Sequence, residues 1–541
     1  MVRVRISDIA VNSGDEVKLP DKGVVCIVGG NNVGKSQLLR EIEQSCVDSS
    51  KMVRRVTSRV GISKPTMTAE EATDFLEKNA ERVVQGQSRE PQFAPIGEGS
   101  SIAKENFTIF FNRPAGMLDA SQFFVRRYQA GNLGTIAGQP LANRQGNTTA
   151  SFGGILAPVY NDAALEHEIS DVSESAFGQP LTFDRLAFDL RFRVGRPGCK
   201  APRLDELSQE YVDAVTALPT LDEQGDGVRS FLGLVVSLLL GKQQIMLFDE
   251  PEAFLHPPQA TALGRWVGRK SSELDKQVFL ATHDRNILLG LLESESEVTL
   301  LRLTREGNGN HLYQLDQEQA KATWTNPVLR YSNVLQGLFH RQAVICEADA
   351  DCRFYNAVFD NVVEKSGRHA CADETLFIPA GGKDGVKPLA AALSSLHVAV
   401  FVILDFDSLS NKRNLREIVK ATGNEWTESV DSCYGTFTDW ANGLAGGTDG
   451  QSIWGRLKEC GLAVVARGDP HQAAERLISE LKAAGILIVP VGEMECLQKD
   501  VTDKKGDAWV RLMLETGEYR NNQEAERLIE PIMSGLDATI G

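Results

Sequence analysis

The stretch GVVCIVGGNNVGKSQLLREIEQ (23–44) restricts the fold more than any other. An apolar run ends in glycines, and a helix-forming run follows at once. Gly29 to Ser36 match G-x-x-x-x-G-K-[ST], a pattern that acts where it joins a strand to a helix. Glycines let backbone N–H groups come close to phosphate oxygens, and the helix N-terminus adds positive potential. Lys35 is placed to reach the β- and γ-phosphates of ATP, and Ser36 to ligate Mg2+. Gly29, Asn31, Asn32, Gly34, Lys35, Ser36 and Gln37 form the candidate ATP-binding set. A chain built on such a unit is α/β, with parallel strands joined by helices.

The partners of that loop belong at the ends of other strands. In IMLFDEPEAFLHP (245–257) an apolar strand ends in Asp249-Glu250. Asp249 suits support of the Mg2+ ion, and Glu250 suits the general base for an attacking water. The next strand, QVFLATHD, places His283 where a γ-phosphate sensor would stand. An apolar helix is predicted over 231–241, just before the Asp249 strand. Between about 50 and 220 the pattern reads as a large insertion. It holds a predicted helix over 68–85, opened by the capping box Thr68-x-x-Glu71. It also holds a Gly/Asn/Thr-rich stretch, 131–154, expected to be a mobile loop.

After a candidate linker near 318–335 the α/β alternation resumes, with strands in AVICE, ETLFIPAGG, VAVFVILDFD and ILIVPVGE. In VICEADAD (344–351) the acids Glu347, Asp349 and Asp351 alternate. Like charges that close repel, so a cation site gives the cluster a purpose. The chain is expected to turn from strand to helix inside this motif. Glu347 then faces a metal from the strand end, Ala348 makes the turn, Asp349 is the N-cap, and Asp351 leans back from the first helical turn. Asp405 and Asp407 end another strand, where open α/β sheets bind ligands. Hard cations such as Mg2+ or Mn2+ take oxygen ligands. Two of them can clamp the attacking and leaving oxygens of a phosphodiester. Glu347, Asp405 and Asp407 are the candidate catalytic acids here, with Glu250 at the nucleotide. Glu347, Asp351, Asp405, Asp407, Ser36 and Asp249 are candidate metal ligands.

Lys35-Ser36, the late GDGVRSF (225–231), Asp249-Glu250 and His283 together resemble the ATP-binding-cassette (ABC) head, in the subgroup of structural-maintenance and recombination-repair ATPases. GDGVRSF stands where those heads carry the signature motif, though it departs from L-S-G-G-Q. The resemblance implies that Gly227 and Ser230 contact ATP held by a second copy, and so a homodimer or higher homo-oligomer through the ATPase domain. For the Q-loop glutamine, Gln122 and Gln129 both stay open. VICEADAD, FIPAGGKDGVKPL (377–389) and VFVILDFDSL (400–409) resemble a Toprim domain, with Ala348 in place of the usual glycine. ILIVPVGEMECL (486–497) resembles the G-E-L-E segment of nuclease versions. That implies Glu495 as a further metal ligand, Glu493 as the first acid, and Lys504 or Lys505 as a completing lysine.

The pairing resembles the overcoming-lysogenization-defect nucleases. It implies an N-terminal ABC-type P-loop ATPase domain over 1–325, with the insertion at 50–220 as a candidate dimerisation element. It implies a C-terminal Toprim domain with a parallel sheet over 326–541. The expected activity is ATP-regulated and dependent on Mg2+ or Mn2+. The expected reaction is cleavage or nicking of DNA in bacterial anti-phage defence, compatible with a partner protein encoded nearby. RNA as substrate, and a non-cutting DNA-binding ATPase, stay open.

Composition trims other classes. The net charge of −16 disfavours a general nucleic-acid coat. A local basic run, RFRVGRPGCKAPR (191–203), is either a solvated loop or a phosphate-contacting surface. Nine cysteines without a C-x-x-C pair argue against a disulfide framework or a structural zinc. No apolar run approaches a membrane span and no export signal is evident, so a cytoplasmic location with no membrane partner is expected. A topoisomerase would need a tyrosine nucleophile, and Tyr355 and Tyr434 have no recognisable setting. A primase usually adds a zinc module.

Overall fold

The computed structural model describes residues 2–83, 91–96, 99–137, 154–186, 190–203, 208–307, 309–318, 321, 325, 334–367, 374–444, 452–498 and 505–537. The chain divides into two compact units, one of Met1–Thr304 with Gly309–Gln317, the other of Arg305–Asn308 with Glu318–Gly541. The expected mobile loop at 131–154 is corrected at its start, where Ala130–Ile136 is a helix with Leu133 and Ile136 buried; the rest of it and the linker at 318–335 fall largely outside the described residues.

The strands of the first unit are β1 (Arg5–Val11), β2 (Glu16–Lys18), β3 (Gly23–Val28), β4 (Thr57–Ser63), β5 (Ala80–Val83), β6 (Gln92–Pro95), β7 (Ile102–Ala103), β8 (Val125–Gln129), β9 (Leu181–Asp184), β10 (Arg191–Val194), β11 (Ile245–Asp249), β12 (Gln277–Ala281), β13 (Val298–Glu306) and β14 (Gly309–Leu315). The main sheet has six strands in the order β14-β13-β3-β12-β11-β8. From β13 to β8 its strands are parallel. Every residue of β3, β11 and β12 is buried. That is why these strands read as unbroken apolar runs rather than alternating ones. Their C-terminal ends carry the P-loop, Asp249 and, just past Ala281, His283.

The stretch 50–220 is woven into this unit. β4 pairs antiparallel with β1, and β8 forms the edge next to β11. Phe75, Phe107, Phe111, Phe123 and Phe124 share a core with Leu38, Leu39 and Ile42 of the P-loop helix, Lys35–Asp48. Phe75 and Phe124 stack at 4.7 Å between ring centroids. The expected helix over 68–85 runs only from Ala69 to Asn79. Its capping box is as read, with Glu71 N donating to Thr68 and Thr68 N to Glu71. It stops because the Asn79 side chain donates back to the Phe75 carbonyl and Ala80–Val83 pair with β6 instead. The helix predicted over 231–241 spans Asp226–Leu240. In the basic run, Arg191, Arg193 and Arg196 pair with Asp222, Asp184 and Glu174, so the β10 arginines are tied down locally.

The second unit holds β15 (Gln342–Cys346), β16 (Thr375–Pro379), β17 (Ala399–Leu404) and β18 (Ile486–Ile488) in one parallel sheet, ordered β16-β15-β17-β18. The helix Asp349–Ser366 covers β15 and packs against the buried Trp509, its Phe354 ring 5.0 Å from the indole. The chain leaves β15 for β16 on one side, then returns past it to β17 on the other. The loops after β15 and β17 therefore diverge from one point, where such sheets place ligands.

Candidate functional site

In the first unit the P-loop has the backbone its residue types allow. Gly29 and Gly34 have φ of 155° and 103°. A β-carbon at Gly29 would stand 2.3 Å from the Leu303 carbonyl, and at Gly34 2.8 Å from Val56 Cγ2. Asn32 takes φ 61°, a left-handed value that asparagine tolerates. Lys35 is nearly buried and turns back on its own loop, donating to the Gly29 and Gly30 carbonyls at 2.9 and 2.8 Å. Burial lowers its pKa, against the pull of Glu250, Glu252 and Asp249. Ser36 Oγ donates to Asp249 Oδ1 at 2.9 Å, joining the two halves of the candidate Mg2+ site. Gln37 bonds Glu41, whose carboxylate accepts from the Arg55, Val56 and Thr57 amides and so anchors β4.

Asp249 ends β11 and burial raises its pKa. Glu250 follows at φ 50°, half-exposed, with its Oε1 3.1 Å from His283 Nδ1. This brings the candidate base and the candidate sensor together. Glu252, two residues on, was missed. It is buried, accepts from Thr282 Oγ1 and His283 N, and burial lifts its carboxyl to about 7. Arg127 was missed too. It sits on β8, bonds Glu43 at 3.0 Å and lies 3.8 Å from Asp249. Gln129 ends β8 in register with Asp249, whereas Gln122 is bonded to Ser100 away from that edge. Gly227 packs against the Phe254 carbonyl, which a β-carbon would approach to 2.5 Å. Ser230 is buried and donates to the Ala130 carbonyl at 3.2 Å, so its hydroxyl faces inward.

In the second unit β15 stops at Cys346 and leaves Glu347 at the sheet's edge. Glu347 Oε1 accepts from Asp405 N at 3.2 Å and from Ser408 Oγ at 3.1 Å. That lashes the ends of β15 and β17 together. The expected N-cap is corrected. Ala348 takes the N-cap position, and Asp349 is the first helical residue, ion-paired with Arg353 at 2.9 Å. Asp351 does the capping, from the third position back to Ala348 N at 2.9 Å. The N-cap alanine has no side-chain acceptor, so only this half of a capping box exists. The reason is that Asp349 stays out in solvent, while Asp351 lies on the inner side of the turn.

The acids feel one another. Burial, then Glu347, Asp351 and Asp407, raise the Asp405 carboxyl to about 8. Burial, Glu347 and Glu495 raise Asp351 to about 6. Glu347 is also raised, chiefly by burial, against the pull of Lys383. Lys383 was not foreseen, although it stands in the quoted GGKDG. It opens the helix Lys383–Ser395, and its Nζ meets Asp407 Oδ1 at 2.5 Å. Among the described residues no three His, Cys, Asp or Glu side chains already stand as a closed metal cage. The donor set is nonetheless all-oxygen and mutually repelling, which is what a hard divalent cation relieves.

Glu495 accepts from Gly506 N at 2.7 Å, and Glu493 is buried with Lys505 at 2.9 Å and Lys458 at 3.5 Å. Lys505 thus serves Glu493; Lys504 lies outside the described residues. Tyr355 is buried and its hydroxyl pKa is driven well up, while Tyr434 donates to the Leu409 carbonyl, so neither is poised as a nucleophile. The eight described cysteines are free.

Residues 142–289 match the family model "AAA domain, putative AbiEii toxin, Type IV TA system". Residues 338–407 match "Overcoming lysogenization defect protein-like, TOPRIM domain". The first match holds Asp249, Glu250 and His283; the second holds Glu347, Asp351, Lys383, Asp405 and Asp407. No curated protein matches the chain. Among solved structures it is similar to the Smc head domain with an extended coiled coil bound to the C-terminal domain of ScpA derived from Pyrococcus furiosus (11% identity, 59% of this chain, 98% of that one, TM-score 0.35). It is also similar to the SMC head domain from Thermotoga maritima (13%, 58% and 99%, TM-score 0.30). A third is cbiO1 from Clostridium perfringens, part of the ABC transporter complex cbiONQ (12%, 62% and 95%, TM-score 0.27).

Proposed function

We propose that this chain, which has the overcoming-lysogenization-defect architecture of an ATPase domain followed by a TOPRIM domain, is an ATP-hydrolysing, divalent-metal-dependent nuclease that cuts DNA. We assign the ATPase to 1–325 and the nuclease to 326–541, with a homo-oligomer formed through the ATPase domain and a role in anti-phage defence. The observation that carries the reading is the carboxylate cluster of Glu347, Asp351, Asp405 and Asp407, held at neighbouring strand ends and charged against itself.

In the first unit Lys35 leaves its own loop carbonyls for the phosphates of ATP. Ser36 and Asp249, already in contact, would hold a Mg2+ ion. Glu250 takes the proton of the attacking water, and His283 steadies that carboxylate from 3.1 Å. Gln129, beside Asp249, is the Q-loop glutamine in this reading. In the second unit Glu347, Asp405 and Asp407 would hold the metal, with Asp351 assisting. A bound Mg2+ or Mn2+ supplies charge to the phosphodiester oxygens and lowers the pKa of the attacking water. Lys383 neutralises Asp407 and is the nearest cation available to a scissile phosphate.

The test is incubation of supercoiled plasmid with the protein across Mg2+, Mn2+ and Ca2+, with and without ATP, beside a matched RNA. Scission that disappears in Glu347→Ala/Asp405→Ala is the expected result. Undiminished scission in that double variant would remove the site assignment.

A further inference from the structure

From the structure we infer that the helix Lys412–Ala421 is a phosphate track that holds one strand of duplex DNA as it leaves the carboxylate cluster; the inference rests on the nuclease reading above. The helix begins five residues after Asp407. Leu415, Ile418 and Val419 are buried, which fixes its opposite face outward. On that face stand Arg413, Arg416 and Lys420, spaced i, i+3 and i+7, the spacing that aligns side chains along a helix. With Lys412 and Trp426 they line a groove of about 830 Å³.

The charge balance favours an anion. Lys412, Arg413, Arg416 and Lys420 face only Glu417 and Glu425 in the groove. Glu417 is already held by Lys387 at 2.6 Å and Arg413 at 3.4 Å. Lys412 pairs with Asp431 at 2.8 Å. Among the described residues Arg416 and Lys420 form no ion pair. This surplus of cations stands out in a chain of net charge −16.

The groove is joined to the cluster. Lys383 touches Asp407 at 2.5 Å. One turn along the same helix, Lys387 reaches Glu417 on the basic helix. Cations therefore continue from the metal acids to Lys420. Arg413 to Lys420 spans about 10 Å of helix, the rise of roughly three base pairs along a duplex axis. Side chains of this kind contact phosphates and place the strand without reading its bases.

The test measures binding of a fluorescein-labelled DNA duplex in Ca2+ between about 50 and 200 mM KCl. Arg413→Gln/Arg416→Gln/Lys420→Gln should lower the slope of log affinity against log salt by about 2–3. The exchange Arg413→Lys/Arg416→Lys/Lys420→Arg should restore it, and ATP turnover should be unchanged in both. If wild type cuts DNA and the glutamine variant keeps the full slope, the track is wrong and the nuclease reading survives. If the slope changes only for RNA, or only for an acidic peptide, the occupant is wrong. If wild type neither binds nor cuts DNA, the track and the nuclease reading fall together.

Discussion

The two candidate sites solve opposite electrostatic problems. The nucleotide site is balanced within itself. Lys35 is satisfied by loop carbonyls, and Ser36 and Arg127 attend Asp249. The TOPRIM site is a set of like charges, with Lys383 on Asp407 as its nearest counter-charge and Asp405 driven to a pKa of about 8. A site whose main cation and metal-facing acid are already partnered can wait for its ligand at lower electrostatic cost. One made of like charges is held apart by its own repulsion, and on the nuclease reading a cation bound there would be coupled to local stability more than at the P-loop.

Variants can break or sharpen that contrast. The largest effect belongs to the sites themselves. Asp405→Asn should lower scission on the order of 10³-fold, in line with losing several kcal/mol of metal-borne charge stabilisation, while leaving ATP turnover intact. Lys35→Ala should do the reverse to ATP turnover, read by phosphate release, and leave the carboxylate cluster unaltered. If Asp405→Asn abolishes ATP turnover as well as scission, the two sites are not separable and the contrast fails.

Lys383→Met is expected to lower scission by about 10- to 100-fold, as loss of one preorganised charged donor does. A return of activity in Lys383→Arg would show that charge, more than shape, is what Asp407 needs.

Next in size is a stability effect with a definite sign. Asp405 titrates near 8 in the fold against 3.8 for an ordinary aspartate. The folded state therefore holds the proton more tightly than the unfolded chain. Stability fully present below about pH 4 is lost as pH rises through 8, and Mg2+ should restore it. In a metal-free melt at pH 8, Asp405→Asn should raise Tm by a few degrees, and Mg2+ should then add little; a wild type indifferent to Mg2+ at that pH would count against the cation site.

The smallest effect is the one at Asp349. Its partner is Arg353 on the surface, a pair worth about 0–1 kcal/mol. Asp349→Asn should change scission less than about twofold, well below Asp351→Asn, which keeps a capping oxygen but removes a carboxylate from the cluster.

What could be read from residues alone was what depends on local order. Gly29 to Ser36, Asp249-Glu250 and the acids after β15 and β17 each follow an apolar run, and the α/β alternation around them was plain. What escaped depends on partners far along the chain. Nothing near VRRYQ says that Arg127 will lie beside Asp249, because the pairing of β8 with β11 spans more than a hundred residues. Pairing across about fifty residues with β1 hid β4, and the longer pairing with β11 hid β8, inside a stretch that looked like an insertion. Lys383 was visible as a residue but not as a partner, since only the register of β16 and β17 on either side of β15 brings its helix to Asp407. The helix from Thr68 was overrun because its periodicity continues past Asn79, where pairing with β6 overrides it. In VICEADAD the error was finer. Asp349 has better N-cap chemistry than Ala348, but the helix starts one residue earlier and Asp351 reaches back to the Ala348 N–H.

The backbone at Glu250 has one more consequence. A β-carbon at φ 50° costs about 1–2 kcal/mol relative to glycine. Glu250→Gln keeps that cost and removes only the base. Glu250→Gly removes both, so the crippled protein should be sturdier than its parent. If Glu250 is the base, as proposed, loss of ATP turnover by this route would come with a gain in stability.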